Sequence, residues 1–394
     1  MSLNSSPSGE RIHIAFFGLR NAGKSSLVNA VTGQTLSIVS DIKGTTTDPV
    51  KKAMELLPIG PVVIIDTPGI DDEGILGELR VKKAEEVLSS TDVAVLVRDI
   101  AREEEEAERE LKRAFVKRNT PFITVYNKSD TVTEKRELSE NEIAVSALTG
   151  ENIYELKELI AKTAKTAESN KVIVSDLIDE GDTVILVIPI DKAAPKGRLI
   201  LPQQMTIRDI LDKGAYSYVC PVEGLEAVLK GLKTPPRLVI TDSQVFGAVS
   251  EILPRSVPLT SFSILMARYK GDLPSLLDGA RALSSLQDGD KVLISEGCTH
   301  HRQCGDIGSV KIPMWIEKFT GAKPSYSFTS GGEFPSDLSS YKLVIHCGGC
   351  MLNEKEMKSR MSTASAQNVP MVNYGIAIAC MHGILDRSTE IFSL

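Results

Sequence analysis

The stretch that most restricts how this chain can fold is Gly18-Leu19-Arg20-Asn21-Ala22-Gly23-Lys24-Ser25-Ser26. It follows the apolar run Ile12-His13-Ile14-Ala15-Phe16-Phe17 and leads into the helix-forming Leu27-Val28-Asn29-Ala30-Val31. G-x-x-x-x-G-K-S between a strand and a helix is a phosphate-binding loop. Glycines let successive main-chain N–H groups face one anion, and the helix N-terminus adds the positive end of its dipole. Lys24 is then placed to reach the β- and γ-phosphates, and the Ser25 hydroxyl to ligate Mg2+. Such a loop demands an α/β domain.

The partners of a GTPase follow in order. Val62-Val63-Ile64-Ile65 reads as a buried strand ending in Asp66-Thr67-Pro68-Gly69. Asp66 is expected to hold Mg2+ through water, and the Gly69 N–H to meet the γ-phosphate. Phe122–Tyr126 is another strand, ending in Asn127-Lys128-Ser129-Asp130. A carboxylate at Asp130 accepts both the N1–H and the 2-amino group of guanine, which adenine cannot offer. Ser146-Ala147-Leu148 follows Ile143-Ala144-Val145 and resembles the last base-contacting loop of GTPases. The expected base is guanine.

Between these motifs lies the polar loop Gly44-Thr45-Thr46-Thr47-Asp48-Pro49, able to change conformation with the γ-phosphate. Over residues 10–165 the chain resembles the TrmE/Era group of GTPases. In that group G-T-T-x-D supplies the second Mg2+ hydroxyl, which the pattern maps onto Thr46. Ras-type GTPases orient water with a Gln after D-x-x-G; here that position is Ile70. Hydrolysis is therefore expected to be slow. Asn21 occupies the position that helps ligate a potassium ion in relatives activated by one, so turnover should be faster in potassium than in sodium. The charge-rich Ala101–Arg113 reads as a solvated helix face, with Glu105–Arg109 and Glu108–Lys112 at favourable i,i+4 spacing, and no function.

Beyond a boundary near residue 170 the segment 171–258 reads as a small α/β unit. Strands fall at 183–188, 216–219 and 238–240, with helices at 206–211 and 224–232. It carries no chemical constellation, which suits an assembly role. Cys220, before Pro221, reads as structural.

From 260 to 394 the βα alternation resumes: helix 273–286, strand 291–295, helix 314–320, strand 342–345, helix 354–366, strand 369–373 and helix 376–385. This argues for a parallel sheet covered by helices. Ligands of such sheets bind beyond the carboxyl ends of the strands. Cys298-Thr299-His300 follows one strand there, and His346-Cys347-Gly348-Gly349-Cys350 follows another. Three of six cysteines and three of five histidines fall in these two turns, which favours a metal centre over surface thiols. Cys380, on an apolar helix, reads as packing.

The full pattern is Cys298-x-His300, 45 residues, then His346-Cys347-x-x-Cys350. With a nucleotide switch upstream, the whole chain resembles the HydF family of [FeFe]-hydrogenase maturation GTPases. That resemblance implies a [4Fe–4S] cluster on Cys298, Cys347 and Cys350, with the fourth iron short of a protein sulfur. His300, His346, Glu296, Asp306 or an exogenous ligand are the candidates for that position, and Cys304 lies in the same turn. The resemblance also implies three domains: GTP-binding (1–168), dimerisation (171–258) and cluster-binding (260–394). It implies a homodimer, and as partners the [FeFe]-hydrogenase apoprotein and the radical-SAM maturation enzymes.

The net charge of −7 leaves no electrostatic footprint for nucleic acid or an anionic membrane. No apolar run approaches the ~20 residues that span a bilayer, and the start of the chain lacks a signal-peptide pattern. Six cysteines in 394 residues make no secreted disulfide framework, so a reducing cytoplasm is expected. A tRNA-modifying TrmE-like GTPase is the main alternative; against it, no room is left before residue 18 for an N-terminal cofactor domain. A GTPase with structural zinc is the other, since Cys3His is an acceptable zinc set.

Overall fold

A computed structural model describes residues 8–34, 49–69, 84–133, 136–167, 171–190, 199–298 and 306–392. The chain divides into two compact units, Met1–Ser169 and Asn170–Leu394.

The first unit is a six-stranded sheet of β1 (Ile12–Phe17), β2 (Val50–Leu56), β3 (Gly60–Asp66), β4 (Val93–Asp99), β5 (Phe122–Asn127) and β6 (Glu142–Ala144). Their order is β2-β3-β1-β4-β5-β6, parallel throughout except for β2 against β3. The central strands are apolar on both faces because helices cover both. Ile14 and Phe16 of β1 pack with Leu27 and Val28 on one face, while Ala15 and Phe17 pack with Phe115 on the other. Phe16 and Phe17 are fully buried, each contributing about 1.5–3 kcal/mol. The edge strand β2 instead exposes Lys51, Lys52 and Glu55, charges that discourage pairing with another sheet.

The second unit holds two parallel four-stranded sheets. One contains β7 (Thr183–Val187), β8 (Tyr216–Cys220), β9 (Leu238–Thr241) and β10 (Leu259–Ser261), ordered β10-β9-β7-β8. The other contains β11 (Lys291–Glu296), β12 (Ser325–Ser330), β13 (Leu343–His346) and β14 (Met371–Asn373), ordered β12-β11-β13-β14. A single apolar cluster joins them, with Ile185 and Val239 of one sheet and Leu293 and Val344 of the other. The two sheets therefore share a core, although the sequence pattern reads as two domains. The first of them also runs past residue 258, because β10 pairs with β9 through Leu259–Val239.

Two further differences have plain causes. β12 is absent from the expected elements because Ser-Tyr-Ser-Phe-Thr-Ser is half serine; it is an edge strand with little to bury. The charged helix Glu106–Lys117 is not solvated all round. Glu108 is 3% exposed and pairs with buried Arg98 of β4 at 3.0 Å, not with Lys112. Arg109 and Lys112 reach Glu104 and Glu106 instead. Periodicity locates a helix face, but a strand-end arginine across from it decided which glutamate is buried.

Candidate functional site

The phosphate loop joins β1 to the helix Lys24–Thr32. Gly23 sits at φ +86°, and a Cβ there would lie 2.3 Å from Asn127 Nδ2. Glycine is thus needed both for the backbone turn and for the approach of the base-binding loop. Asn127 ties the two loops: its Nδ2 donates to Ala22 O at 3.1 Å, and its Oδ1 accepts from Ala147 N at 3.1 Å. Lys24 is 7% exposed and donates to Gly18 O and Leu19 O at 2.9 and 2.8 Å, so its ammonium is drawn into the loop. Ser25 Oγ donates to Asp66 Oδ2 at 2.7 Å, bringing the two Mg2+-site residues together. Asp66 Oδ1 is buried and accepts no hydrogen bond. A buried, unsatisfied carboxylate oxygen is costly unless a cation or its water fills the gap, so the donor set fits Mg2+. Gly69 packs against the Arg20 backbone. Asn21 is exposed, at φ +61°, and Ser26 is exposed as well.

At the base end, Lys128 adopts φ +67° and pairs with Asp99 Oδ2 at 2.6 Å. Burial raises the Asp99 carboxyl, but the Lys128 ammonium and the Ala101 N–H, with Arg102 nearby, together outweigh it and leave the group below its usual range. Ser146 Oγ donates to Asp130 Oδ1 at 2.5 Å and accepts from Thr149 N at 3.1 Å. The carboxylate expected to read guanine is thereby aimed by the loop expected to contact the base. Thr46 and Ile70 lie outside the described residues.

The thiol site stands at the carboxyl ends of β11 and β13, which are hydrogen-bonded neighbours paired Ser295 to His346. Cys347 N donates to Ser295 O at 2.9 Å, extending that pairing. Gly297 N and Gly349 N donate to Cys347 Sγ at 3.0 and 3.4 Å, so the turn bearing Cys298 touches the sulfur of the other turn. Gly349, at φ +61°, lies where a Cβ would meet Met357 Sδ at 2.6 Å. Desolvation pushes the Cys347 thiol up to about 11 despite these two amides, and raises Cys350 as well. Reactive redox cysteines have lowered values; these thiols instead stay protonated until a metal displaces the proton. Soft donors, amides aimed at sulfur and a glycine cradle fit an iron–sulfur cluster. Among the described residues, no group of three or more His, Cys, Asp and Glu side chains is already gathered as a metal cage. His300 and Cys304 lie outside them.

His346 is committed elsewhere. It is 1% exposed; its Nδ1 is 2.8 Å from Cys347 O and its Nε2 is 3.0 Å from Arg360 Nη1. Guanidinium only donates, so Nε2 accepts and Nδ1–H donates to the carbonyl. Burial, then the Arg360 charge, pushes the imidazole down to about 3, keeping it neutral. With both nitrogens used, it braces the turn instead of offering a ligand. Glu296, 5% exposed, accepts from Tyr374 Oη at 3.3 Å at the same strand ends.

Lys270 and Arg360 were not legible as site residues. Lys270, ending the helix Phe262–Lys270, donates to Gly349 O, Cys350 O and Leu352 O. A basic residue in a last helical turn ordinarily complements the helix dipole in water. Arg360 in Glu354–Ala366 looks like one more solvated charge, yet it is 3% exposed.

A family model described as the hydrogen maturase F dimerization domain matches residues 173–271, and one for the hydrogen maturase F tetramerization domain matches 274–391. A third, the 50S ribosome-binding GTPase, matches 13–128. The tRNA modification GTPase MnmE of Legionella pneumophila (strain Paris) is 37% identical over 153 residues, covering 38% of this chain and 34% of that protein. GTPase Der of Kosmotoga olearia is 33% identical over 135 residues, covering 33% of this chain and 30% of its own. The chain thus spans about a third of the length of these curated relatives. Among solved structures, Aquifex aeolicus Era bound to GDP and AlF4− is 23% identical, covering 53% of this chain and 93% of that one, with a TM-score of 0.36.

Proposed function

The chain belongs to the hydrogen maturase F family and is a GTPase, and on that premise we propose that it is an iron–sulfur carrier for [FeFe]-hydrogenase maturation. In this reading Cys298, Cys347 and Cys350 hold a [4Fe–4S] cluster, near which the precursor of the hydrogenase two-iron site is assembled or carried before delivery to the apoprotein. The observation that carries the reading is the pairing of β11 with β13, which puts the two cysteine turns side by side with an amide of one on the sulfur of the other. A cluster would supply an iron with an exchangeable coordination position. Cys347 and Cys350 bind, while His346, through Arg360, keeps the turn in shape. For the exchangeable position His300, Glu296, Asp306 or an exogenous ligand remain.

In the nucleotide unit Lys24 neutralises phosphate charge, Ser25, Asp66 and Thr46 serve Mg2+, and Asp130 selects guanine. The GTP state would regulate transfer or partner binding. The MnmE relatives match only this unit, so tRNA modification finds no support in residues 171–394.

Anaerobically prepared full-length protein tests the reading. Iron with acid-labile sulfide and a brown chromophore is the expected result. A colourless protein with one zinc per chain would replace it with the structural-zinc reading.

The matched regions are oligomerisation domains. Within the described residues β8 is a sheet edge, and its Tyr216, Tyr218 and Val219 are 62, 48 and 49% exposed. Such an edge is a template for another strand, and pairing of β8 with its copy across a two-fold axis would cover it. Tyr218→Asp should halve the assembly mass in light scattering; an unchanged mass would reject β8 as the interface.

A further inference from the structure

Lys270 is 2% exposed. Its ammonium, with three N–H donors, reaches three main-chain carbonyls of the thiol turn: Gly349 at 3.2 Å, Cys350 at 3.1 Å and Leu352 at 2.6 Å. In a trans peptide the C=O and N–H lie in one plane and point in opposite directions. Fixing the Gly349 carbonyl toward Lys270 therefore turns the Cys350 N–H away from it. Fixing the Cys350 carbonyl does the same for the Met351 N–H. One buried cation, with the Leu352 N–H that also reaches Gly349 O at 3.0 Å, thus orients the two peptides that flank Cys350. The third carbonyl anchors the turn just before Asn353, whose Oδ1 caps the following helix by accepting from Glu356 N at 3.0 Å.

Burying an ammonium is expensive, and a lysine that merely ends a helix keeps its head in water. Lys270 also lies within the region matched by the dimerization domain, whereas the carbonyls it holds lie in the tetramerization domain. The thiol turn is therefore shaped by a charge from outside its own sheet.

Resting on the assignment of Cys350 as a cluster ligand, we infer that Lys270 is a positioning residue of the iron–sulfur site. It fixes the peptides of the C-x-x-C turn by holding their carbonyls, and it supplies a fixed positive charge that favours the more negative, reduced cluster. Hydrogen bonds to sulfur and local charge both act on cluster potentials.

Lys270→Met keeps the apolar stem and removes the charge and all three donors. The variant and wild type would be reconstituted anaerobically as full-length chains and titrated with dithionite, followed by paramagnetic resonance. The expected result is a one-electron reduction constant about tenfold smaller, a potential about 59 mV lower, with GTP hydrolysis unchanged. A packing role alone would lower cluster occupancy without moving the potential, so a wild-type potential in the variant overturns the inference. Should Lys270→Met fold but load no iron, Lys270→Arg decides. Iron retained by the arginine variant supports a role for the charge, and equal loss in both overturns it. A wild-type chain that hydrolyses GTP but takes up no iron would remove the cluster reading itself, a failure distinct from an unmoved potential.

Discussion

Asp130→Asn is expected to weaken GTP binding by roughly a hundredfold or more and to improve binding of xanthine nucleotides. The carboxylate is held by Ser146, whose hydroxyl donates to Oδ1 at 2.5 Å and is itself fixed by Thr149 N. An ionised carboxylate has about four acceptor positions, so the Ser146 contact leaves acceptors for the N1–H and 2-amino group of guanine. Hydrogen bonds to a charged group are worth about 1.5–3 kcal/mol each, and losing two corresponds to a factor of about a hundred upward. Asparagine retains an oxygen for Ser146 but sets an NH2 against the 2-amino group, donor against donor. The 2-oxo group of xanthine accepts from that NH2, so the specificity should reverse instead of merely weakening. Competition of GTP and XTP against a fluorescent nucleotide measures both changes in one protein. An unaltered GTP affinity would reject Asp130 as the guanine reader.

That site was legible because its chemistry is local. Lys24, Ser25, Asp66, Asn127 and Asp130 sit in short motifs at strand ends, and a parallel sheet brings strand ends together whatever the intervening sequence. The same logic foresaw Cys298 and Cys347 past two strands, and the β11–β13 pairing makes those strands neighbours. Lys270 and Arg360 escaped because their roles depend on which backbone they meet. Nothing in Phe262–Lys270 says that its last ammonium turns inward onto carbonyls some 80 positions later. Residue type, spacing and the family resemblance make His346 a candidate ligand. Its two ring partners, Cys347 O and Arg360, are invisible until Glu354–Ala366 is packed against the strand. Domain limits were blurred for a related reason. A short strand such as β10 takes its place from the neighbour it pairs with, not from its own three residues.

Replacing Cys298, Cys347 or Cys350 by Ala should each reduce bound iron to near background, while GTP hydrolysis stays within about twofold, as for independent sites. Three thiolates are the minimum that fixes a [4Fe–4S] core while leaving one iron exchangeable, so no one of them is dispensable. Cys347 also receives the Gly297 and Gly349 amides, and its loss should disturb both turns at once. Cys380 provides the control: its Sγ lies 3.8 Å from Ala280 O on a packed helix, and Cys380→Ala should keep a wild-type spectrum. His346→Ala separates bracing from ligation. With both ring nitrogens engaged in the fold, its removal should loosen the turn and lower cluster occupancy, yet leave the resonance of the remaining cluster unchanged. His300→Ala should alter that resonance if His300 occupies the exchangeable position, and an added small ligand should do so in the wild type. Iron retained in full by Cys298→Ala would break the ligand set, because Cys298 is the only one of the three contributed by the β11 turn. A wild-type cluster indifferent to every added ligand would leave the three cysteines standing but remove the open coordination position, and with it the carrier mechanism.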